Sequence, residues 1–463
     1  MNKMKIEKLF FFISIIVGSL LIFLVPPFQS PDEDTHFTKS YLIMNGDFYP
    51  EEKDKKVGFE VPVNMSKFID EKLTWASNRE QKYSYNDMYL DQLLSVDYSK
   101  KEFKEISTGN TSPVAHIVPA LGIGLSKIFN QLSTNGSVSV SYMLLFARFI
   151  SLICYSLIGY YVLKRTPLFK KTFFTIMLLP MALFLRSTVS YDGLLLPITL
   201  LSVVELFNLI YTDKKFNKKH IIFFIIVGYI LLNVKTIYSV LFSLVLFIPK
   251  NKFENRKQQI KYYSIIIISV LLLTIFSKMF IVTGESNEIV QRQMEYIMSN
   301  PFDTIKILLT NMNDQKWSQL YWMTGTFGLL DTYIPPIFVY IISLNLIIIS
   351  LIEASKEKIK IKLNTKLIVF LSIFMAIFAS YFIMYMSWSP VVTGEVGGHL
   401  ATGVQGRYFI PLLFCLPIIF SNNIKIKNQF IKNKLTKIYD NYILIPIISL
   451  LVMLVIIVLR FWV

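Results

Sequence analysis

Polar and apolar positions in this chain are sorted into long blocks. Apolar runs of membrane-spanning length recur from Leu9 to the C-terminal region. About 20 consecutive apolar residues are enough for one helix to cross the hydrocarbon core of a bilayer. The pattern predicts spans near 9–28, 141–163, 172–188, 191–211, 262–282, 333–352, 366–387, 407–421 and 442–461. The run 221–249 is apolar except for Asn233 and Lys235. As one helix it would be about 43 Å long at 1.5 Å per residue. Two short helices turning at "NVKTIY" fit better, with Lys235 near the outer surface. The expected fold class is an all-α polytopic membrane protein of about 11 transmembrane helices.

The polar blocks give the expected topology. Basic clusters lie between apolar runs: "KRTPLFKK", "DKKFNKK", "KNKFENRKQQIK", "KEKIKIKLNTK" and "KIKNQFIKNK". Short basic loops face the cytoplasm by the positive-inside rule. This places the N-terminus inside and the C-terminus outside. The first run follows the basic start "MNKMKIEK", but "PPFQSPDED" offers no small-residue cleavage site, so an uncleaved span is expected. A large first extracytoplasmic loop, 29–140, would follow. Within it, 113–129 is read as an interfacial helix, because counting it as a span would put the later basic loops outside. A second outer loop is expected at 283–332 and a Gly-rich one at 388–406.

Composition agrees. The chain is 53% hydrophobic and 17% charged, against about 25% charged in soluble domains. Its net charge of +16 sits in the basic loops, so no nucleic-acid partner is expected and the lipid bilayer is. The two cysteines, Cys154 and Cys415, lie in apolar runs and imply no disulfide framework. Abundant Ile, Lys, Asn and Phe with little Ala suggest an AT-rich bacterial genome, hence a bacterial plasma membrane. No P-loop, GxGxxG or GxSxG element is present. Chemistry at the outer face would therefore need a donor that reaches it without a nucleotide, and a lipid-linked donor is the natural one.

The unusual polar motifs all fall on the outer side of this topology. In "PDEDTHF", Asp32 and Glu33 lie four and three residues before His36, on one helical face. A carboxylate there could serve as a general base on a hydroxyl, or Asp32 and Glu33 could hold a divalent cation. The plainer reading is a helix N-terminus after Pro31. In "LRSTVSYDG", Arg186 and Asp192 bracket an outer turn and could form a structural pair or face a substrate cleft. Lys235, with Tyr238, could snorkel to the interface or meet a lipid phosphate. In "GGHLATGVQGRYFIPLLF", Gly397, Gly398, Gly403 and Gly406 allow close backbone approach. Arg407 then stands at the mouth of a span, where a guanidinium suits phosphate. An interfacial anchor pair would explain Arg407 and Tyr408 but not the glycines or His399. Trp388, Trp317 and Trp322 also lie on that side.

Four stretches, "PDEDTHF", "LLPMALFLRSTVSYDGL", "GTFGLLDTYIP" and "GVQGRYFIPLL", resemble in this order a family of bacterial polytopic membrane proteins, the domain of unknown function numbered twenty-one forty-two. They run from Pro31 to Leu413. That family looks like a branch of the C-type (GT-C) membrane glycosyltransferase superfamily, whose members use polyprenyl-phosphate or polyprenyl-diphosphate sugars. The resemblance implies a GT-C-like fold. It puts the acidic motif on Asp32 and Glu33, with His36 as their neighbour, and makes Arg407 a phosphate binder.

The expected activity is transfer of a sugar from a polyprenyl-phosphate donor to a cell-envelope glycan or teichoic-acid-like acceptor, with inversion. The catalytic group would be Asp32, Glu33 and His36. Donor phosphate would meet Arg407, Lys235, Arg186, Tyr238 and Gln405. Asp192, His399, Glu395 and Trp388 would line the cleft. No cofactor is expected beyond a divalent cation. The alternatives are a flippase of lipid-linked saccharide, for which no internal repeat was found, and a non-catalytic envelope-assembly protein.

Overall fold

Among the described residues of the computed structural model, seven helices are long and apolar enough to cross a membrane. They are Ile6–Leu24, Val140–Arg165, Tyr191–Tyr211, Arg256–Lys278, Pro336–Lys356, Leu363–Ser387 and Leu444–Phe461. The protein is an all-α polytopic membrane protein. The structure describes residues 4–54, 56–134, 138–282, 288–357, 361–421 and 429–463. The start of the expected 283–332 loop lies outside these residues, as do parts of the N-terminal basic start, the 29–140 loop and the last two basic blocks.

Four expected spans are built from shorter pieces, each for a local reason. The 172–188 run divides into Lys170–Met177 and Pro180–Arg186. Pro180 has no N–H to donate, and it holds Leu179 at ψ 137°, out of the helical region. The 407–421 run is the 3₁₀ stretch Gly406–Cys415, which contains Pro411, followed by Leu416–Phe420. The 221–249 run is the helix Lys218–Val234, a break at Lys235, and short turns through Phe247. Its two ends meet. The Phe216 N–H donates to the Lys252 carbonyl at 2.9 Å, and the Phe216 and Phe253 rings stack at 5.0 Å. This is a hairpin with Lys235 at its apex.

Side-chain contacts define two ends of the bundle. Ile6–Leu24 packs along Val140–Arg165, with Phe23 against Phe149 at one end and Phe10 under Gly159 toward the other. At the end holding Leu24, the Trp462 indole donates to the Leu24 carbonyl at 2.8 Å. At the opposite end, Glu7 pairs with Lys170 at 2.8 Å, Arg165 with Glu205 at 3.0 Å and Lys356 with Asp440 at 3.8 Å. The described basic blocks gather there, and Glu7 and Trp462 lie at opposite ends.

The first polar segment carries a small core of its own at the Leu24 end. A three-stranded antiparallel sheet, Glu51–Lys53, Lys56–Pro62 and Lys101–Glu105, packs with the helix Val63–Leu73. Phe28, Phe37, Phe59, Met65 and Phe68 fill the space beneath it. The expected 113–129 helix is observed as Ile117–Thr134. It lies against the first half of Val140–Arg165, where a Cβ on Gly122 would come within 2.6 Å of Ala147 Cα. Its opposite face exposes Ile117, Leu121, Leu125, Ile128 and Leu132.

Candidate functional site

The acidic motif follows directly after the first span. Asp32 adopts a left-handed conformation, φ 58°, at the N-cap of the helix Glu33–Met44. That turn sends Asp32 and its neighbour Glu33 in different directions.

Glu33 goes inward. Its carboxylate takes Arg148 Nε at 2.8 Å, Arg148 Nη2 at 2.5 Å and the Val189 N–H at 2.9 Å. Arg148 also donates to the carbonyls of Ile22, Val25 and Pro26, just where the first span ends. With 0% exposure, Glu33 can reach neither a substrate hydroxyl nor a metal. The expected catalytic or metal role of Glu33 is therefore corrected: it is the inner half of a structural ion pair. Among the described residues no group of three or more His, Cys, Asp and Glu side chains could hold a metal ion.

Asp32 goes toward the surface. Its Oδ2 accepts from Arg407 Nη2, while Arg407 Nη1 donates to the Pro31 carbonyl at 3.3 Å. Arg407 Nε lies 3.6 Å from Asp192 Oδ2. The other oxygen of Asp192 accepts from Lys235 Nζ at 3.2 Å. Charge thus alternates along Asp32, Arg407, Asp192 and Lys235. Arg407 and Asp192 are buried, Lys235 keeps 13% of its side chain exposed, and Asp32 keeps 49%. Asp32 is the part of this chain of charges that opens to the outside.

Local structure explains how each partner arrives. Ser190 caps the Tyr191–Tyr211 helix by accepting the Asp192 N–H, which fixes Asp192 in the first turn, where the helix dipole favours a carboxylate. Lys235 sits at the hairpin apex, its ammonium 3.1 Å from the Tyr408 ring centroid. The Tyr238 hydroxyl donates to the Tyr408 carbonyl at 2.8 Å and so ties that apex to the Arg407 turn. Gly406 allows the turn to seat, since a Cβ there would fall 1.9 Å from the Gln319 carbonyl oxygen.

His36 is buried beside the charges. Its Nδ1 lies 3.0 Å from His116 Nε2, and its ring meets Tyr191 edge-on at 4.5 Å between centroids. Burial pushes the His36 pKa down to about 4, against the pull of Asp32 and Asp192, so the ring is neutral at pH 7. Burial alone would raise Asp32. The Arg407 guanidinium, helped by His36 and Lys235, overcomes it and holds Asp32 below the usual carboxylate value. Asp34 is pushed up to about 6 by burial, with Asp32 adding to the rise and backbone hydrogen bonds and Lys104 offsetting only part of it.

The structure brings together Asp32, His36, Asp192, Lys235, Tyr238 and Arg407. It does not bring in the other expected residues. Arg186 points away: its Nη2 donates to the Met177 carbonyl at 2.7 Å, and its guanidinium lies 5.3 Å from the Phe10 ring, deep along the first span. His399, Glu395 and Trp388 are on the exposed surface. The Gly403 backbone packs on Trp388, and the His399 carbonyl accepts from Asn311. These three are corrected from cleft residues to parts of a surface loop. Gln405 heads the Arg407 turn, its carbonyl accepting the Tyr408 N–H, and it makes no bond to the charged chain. Three residues escaped the sequence reading, Arg148, His116 and Tyr191, and Tyr408 figures in it only as an interfacial anchor. Tyr191 and Tyr408 stand beside Asp192 and Arg407 in the quoted motifs, and adjacency was the available signal. Arg148 and His116 lie inside apolar runs, where an isolated ionisable group invites a search for its partner.

A bundle of apolar helices holding a buried chain of charges at one end defines a multi-pass membrane protein with a polar centre at its rim. The chain belongs to the family described as "Predicted membrane protein (DUF2142)", whose model matches residues 15–416. No curated protein and no solved structure matches it.

Proposed function

We propose that this protein is a GT-C-type glycosyltransferase of a bacterial plasma membrane. It would move a sugar from a polyprenyl-phosphate or polyprenyl-diphosphate donor to a cell-envelope glycan or polymer at the outer face. The observation that carries the proposal is the contact between Asp32 and Arg407. An ionised, half-open carboxylate lies on a buried guanidinium, with Lys235 close by, at the bundle end opposite the basic blocks. Those blocks favour the cytoplasm, which makes the Asp32 end extracytoplasmic, the N-terminus inside and the C-terminus outside.

In this reading the acceptor hydroxyl docks on Asp32, which takes its proton as the oxygen attacks the anomeric carbon. The new carbon–oxygen bond forms on one face while the bond to the donor phosphate breaks on the other, with inversion. The electron pair leaves on the phosphate oxygen. Arg407 and Lys235 are the cations positioned for that developing charge, and the phosphate competes with Asp32 for Arg407, releasing the carboxylate for its work. Neutral His36 and Tyr191 border the site without adding charge. The bilayer delivers the donor, and the exposed apolar face of Ile117–Thr134 would lie against it.

The test is the reconstituted protein in vesicles with a panel of polyprenyl-phosphate and polyprenyl-diphosphate sugars and envelope-glycan acceptors. Transfer that is lost in Asp32→Asn supports the proposal. Movement of the lipid-linked sugar across the bilayer without transfer would make the protein a flippase. Neither activity across the panel would leave an envelope-assembly role.

A further inference from the structure

A crevice far from Asp32 lies at the end of the bundle where the basic blocks gather. It encloses about 620 Å³ between the Val140–Arg165 helix, the Tyr191–Tyr211 helix and the start of Lys218–Val234. That size is within the range of small-molecule sites. Arg165, Lys214, Lys215 and Lys219 line it, against one carboxylate, Glu205.

The charges in the crevice are not all satisfied. Glu205 is already held twice, by Arg165 at 3.0 Å and by His220 Nε2 at 3.3 Å. Lys215 donates to the Asn251 carbonyl at 2.7 Å. The ammonium groups of Lys214 and Lys219 make no hydrogen bond or ion pair among the described residues, and Lys214 acts on Glu205 only through space. Two ammoniums without a hydrogen-bonded partner, beside a carboxylate already paired with Arg165, are electrostatically ready for an anion.

The other wall is apolar. Tyr161, Leu201 and Phe223 line it. One turn from Tyr161 toward the middle of the helix, Leu157 is exposed, as are Ile222 and Ile226 beside Phe223. An anionic head in the crevice would therefore continue into an apolar tail lying on the lipid-facing surface. We propose that this crevice binds the phosphate head of an anionic phospholipid from the leaflet at the basic end. Lys214 and Lys219 would hold the phosphate, and Tyr161 and Leu157 would take the first part of an acyl chain. Basic pockets between membrane helices are suited to such heads. The inference is independent of the sugar-transfer proposal, since the two sites lie at opposite ends of the bundle.

The experiment uses the full-length protein in neutral detergent and a fluorescent short-chain phosphatidylglycerol, with binding read by anisotropy. Wild type should bind it and bind the matching phosphatidylcholine at least tenfold more weakly. Lys214→Gln and Lys219→Gln should each weaken binding by about 5-fold, and the double variant by about 25-fold. Inorganic phosphate should fail to displace the lipid. Equal affinity for the two lipids, or unchanged affinity in the double variant, overturns the proposal. Displacement by inorganic phosphate overturns the lipid assignment in favour of a free-anion site. Both lysines are exposed, and the thermal midpoint of each variant verifies that it is folded. Should the double variant not fold, the single variants decide.

Discussion

Arg407 and Asp32 stand 375 positions apart in sequence, and their side chains are in direct contact. Asp32 follows the first span and Arg407 opens the 407–421 run, so the contact ties the beginning of the bundle to a late element. Arg407 also faces Asp192, and Asp192 faces Lys235. Each buried charge thus has an opposite neighbour, as an ion in a low-dielectric interior requires. Asp32 differs from the rest because it is half open.

That difference separates function from stability at this site. Asp32→Asn should fold, since an amide fits the same half-exposed position and Arg407 keeps Asp192. Sugar transfer should fall by about 10²–10⁴-fold, the usual contribution of a general base. Arg407→Lys keeps a charge but loses the fork that spans Asp32 and Asp192, and transfer should fall by about 10²–10³-fold. Rates with a polyprenyl-linked donor, alongside thermal midpoints in detergent, check both. Full activity in Asp32→Asn would remove it as the base.

The adjacent carboxylate should behave in the opposite manner. Glu33→Gln leaves Arg148 buried without its counter-charge, which costs about 3–5 kcal/mol. The paired change Glu33→Leu with Arg148→Met removes both charges and should recover part of that loss. Thermal or denaturant unfolding of the purified variants reads the difference. A Glu33→Gln protein with wild-type stability and no transfer would restore the catalytic role that its burial argues against.

These two neighbours show where sequence reading stops. Apolar runs and basic blocks made the bundle, the Lys235 hairpin and the common end of the polar motifs legible, because span length and charge placement are sequence-local properties. The choice between Asp32 and Glu33 was not legible. It turns on a left-handed φ at Asp32 and on Arg148, which sits 115 positions from Glu33 inside an apolar run. Arg186 misled for a related reason. It belongs to the same motif as Asp192, but Pro180 restarts the helix beneath it, and its long side chain turns down beside Phe10 instead of up to the rim. The four glycines also divided. Gly406 permits a close approach, whereas Gly397 and Gly403 sit at positive φ against Tyr296 and Trp388.

Gly406 therefore gives a sharp prediction about positioning. A Cβ at this residue collides with the backbone oxygen of Gln319, within the helix Lys316–Thr324. Backbone cannot swing aside as a side chain can. Gly406→Ala should displace the Arg407 turn, lowering the thermal midpoint and cutting transfer by more than tenfold. Gly46→Ala, where nothing lies within 4 Å of the added atom but φ is +95°, is the comparison. It should cost only backbone strain, about 1 kcal/mol, and leave transfer near wild type. Equal effects at the two sites would show that the Gln319 contact does not position Arg407.

The last prediction concerns pH and uses two groups whose effects oppose. His36 has a folded pKa of about 4, below its ordinary 6.5. It supplies stability above pH 6.5 that is lost as pH falls toward 4, because the unfolded chain takes up the proton first. It is faced by Asp32, Asp192, Arg407, Lys235 and His116. Asp34 has a folded pKa of about 6, above its ordinary 3.8. It supplies stability below pH 3.8 that is lost as pH rises through 6. Between pH 4 and 6 the two slopes cancel in part. Asp34→Asn removes one of them. The variant should be more stable than wild type at pH 7.5, by roughly 2–5 °C in thermal midpoint, and should lose stability more steeply on acidification from 6.5 to 4. Thermal midpoints of both proteins across that range decide it. Parallel curves would mean that Asp34 is not forced toward its protonated form on folding.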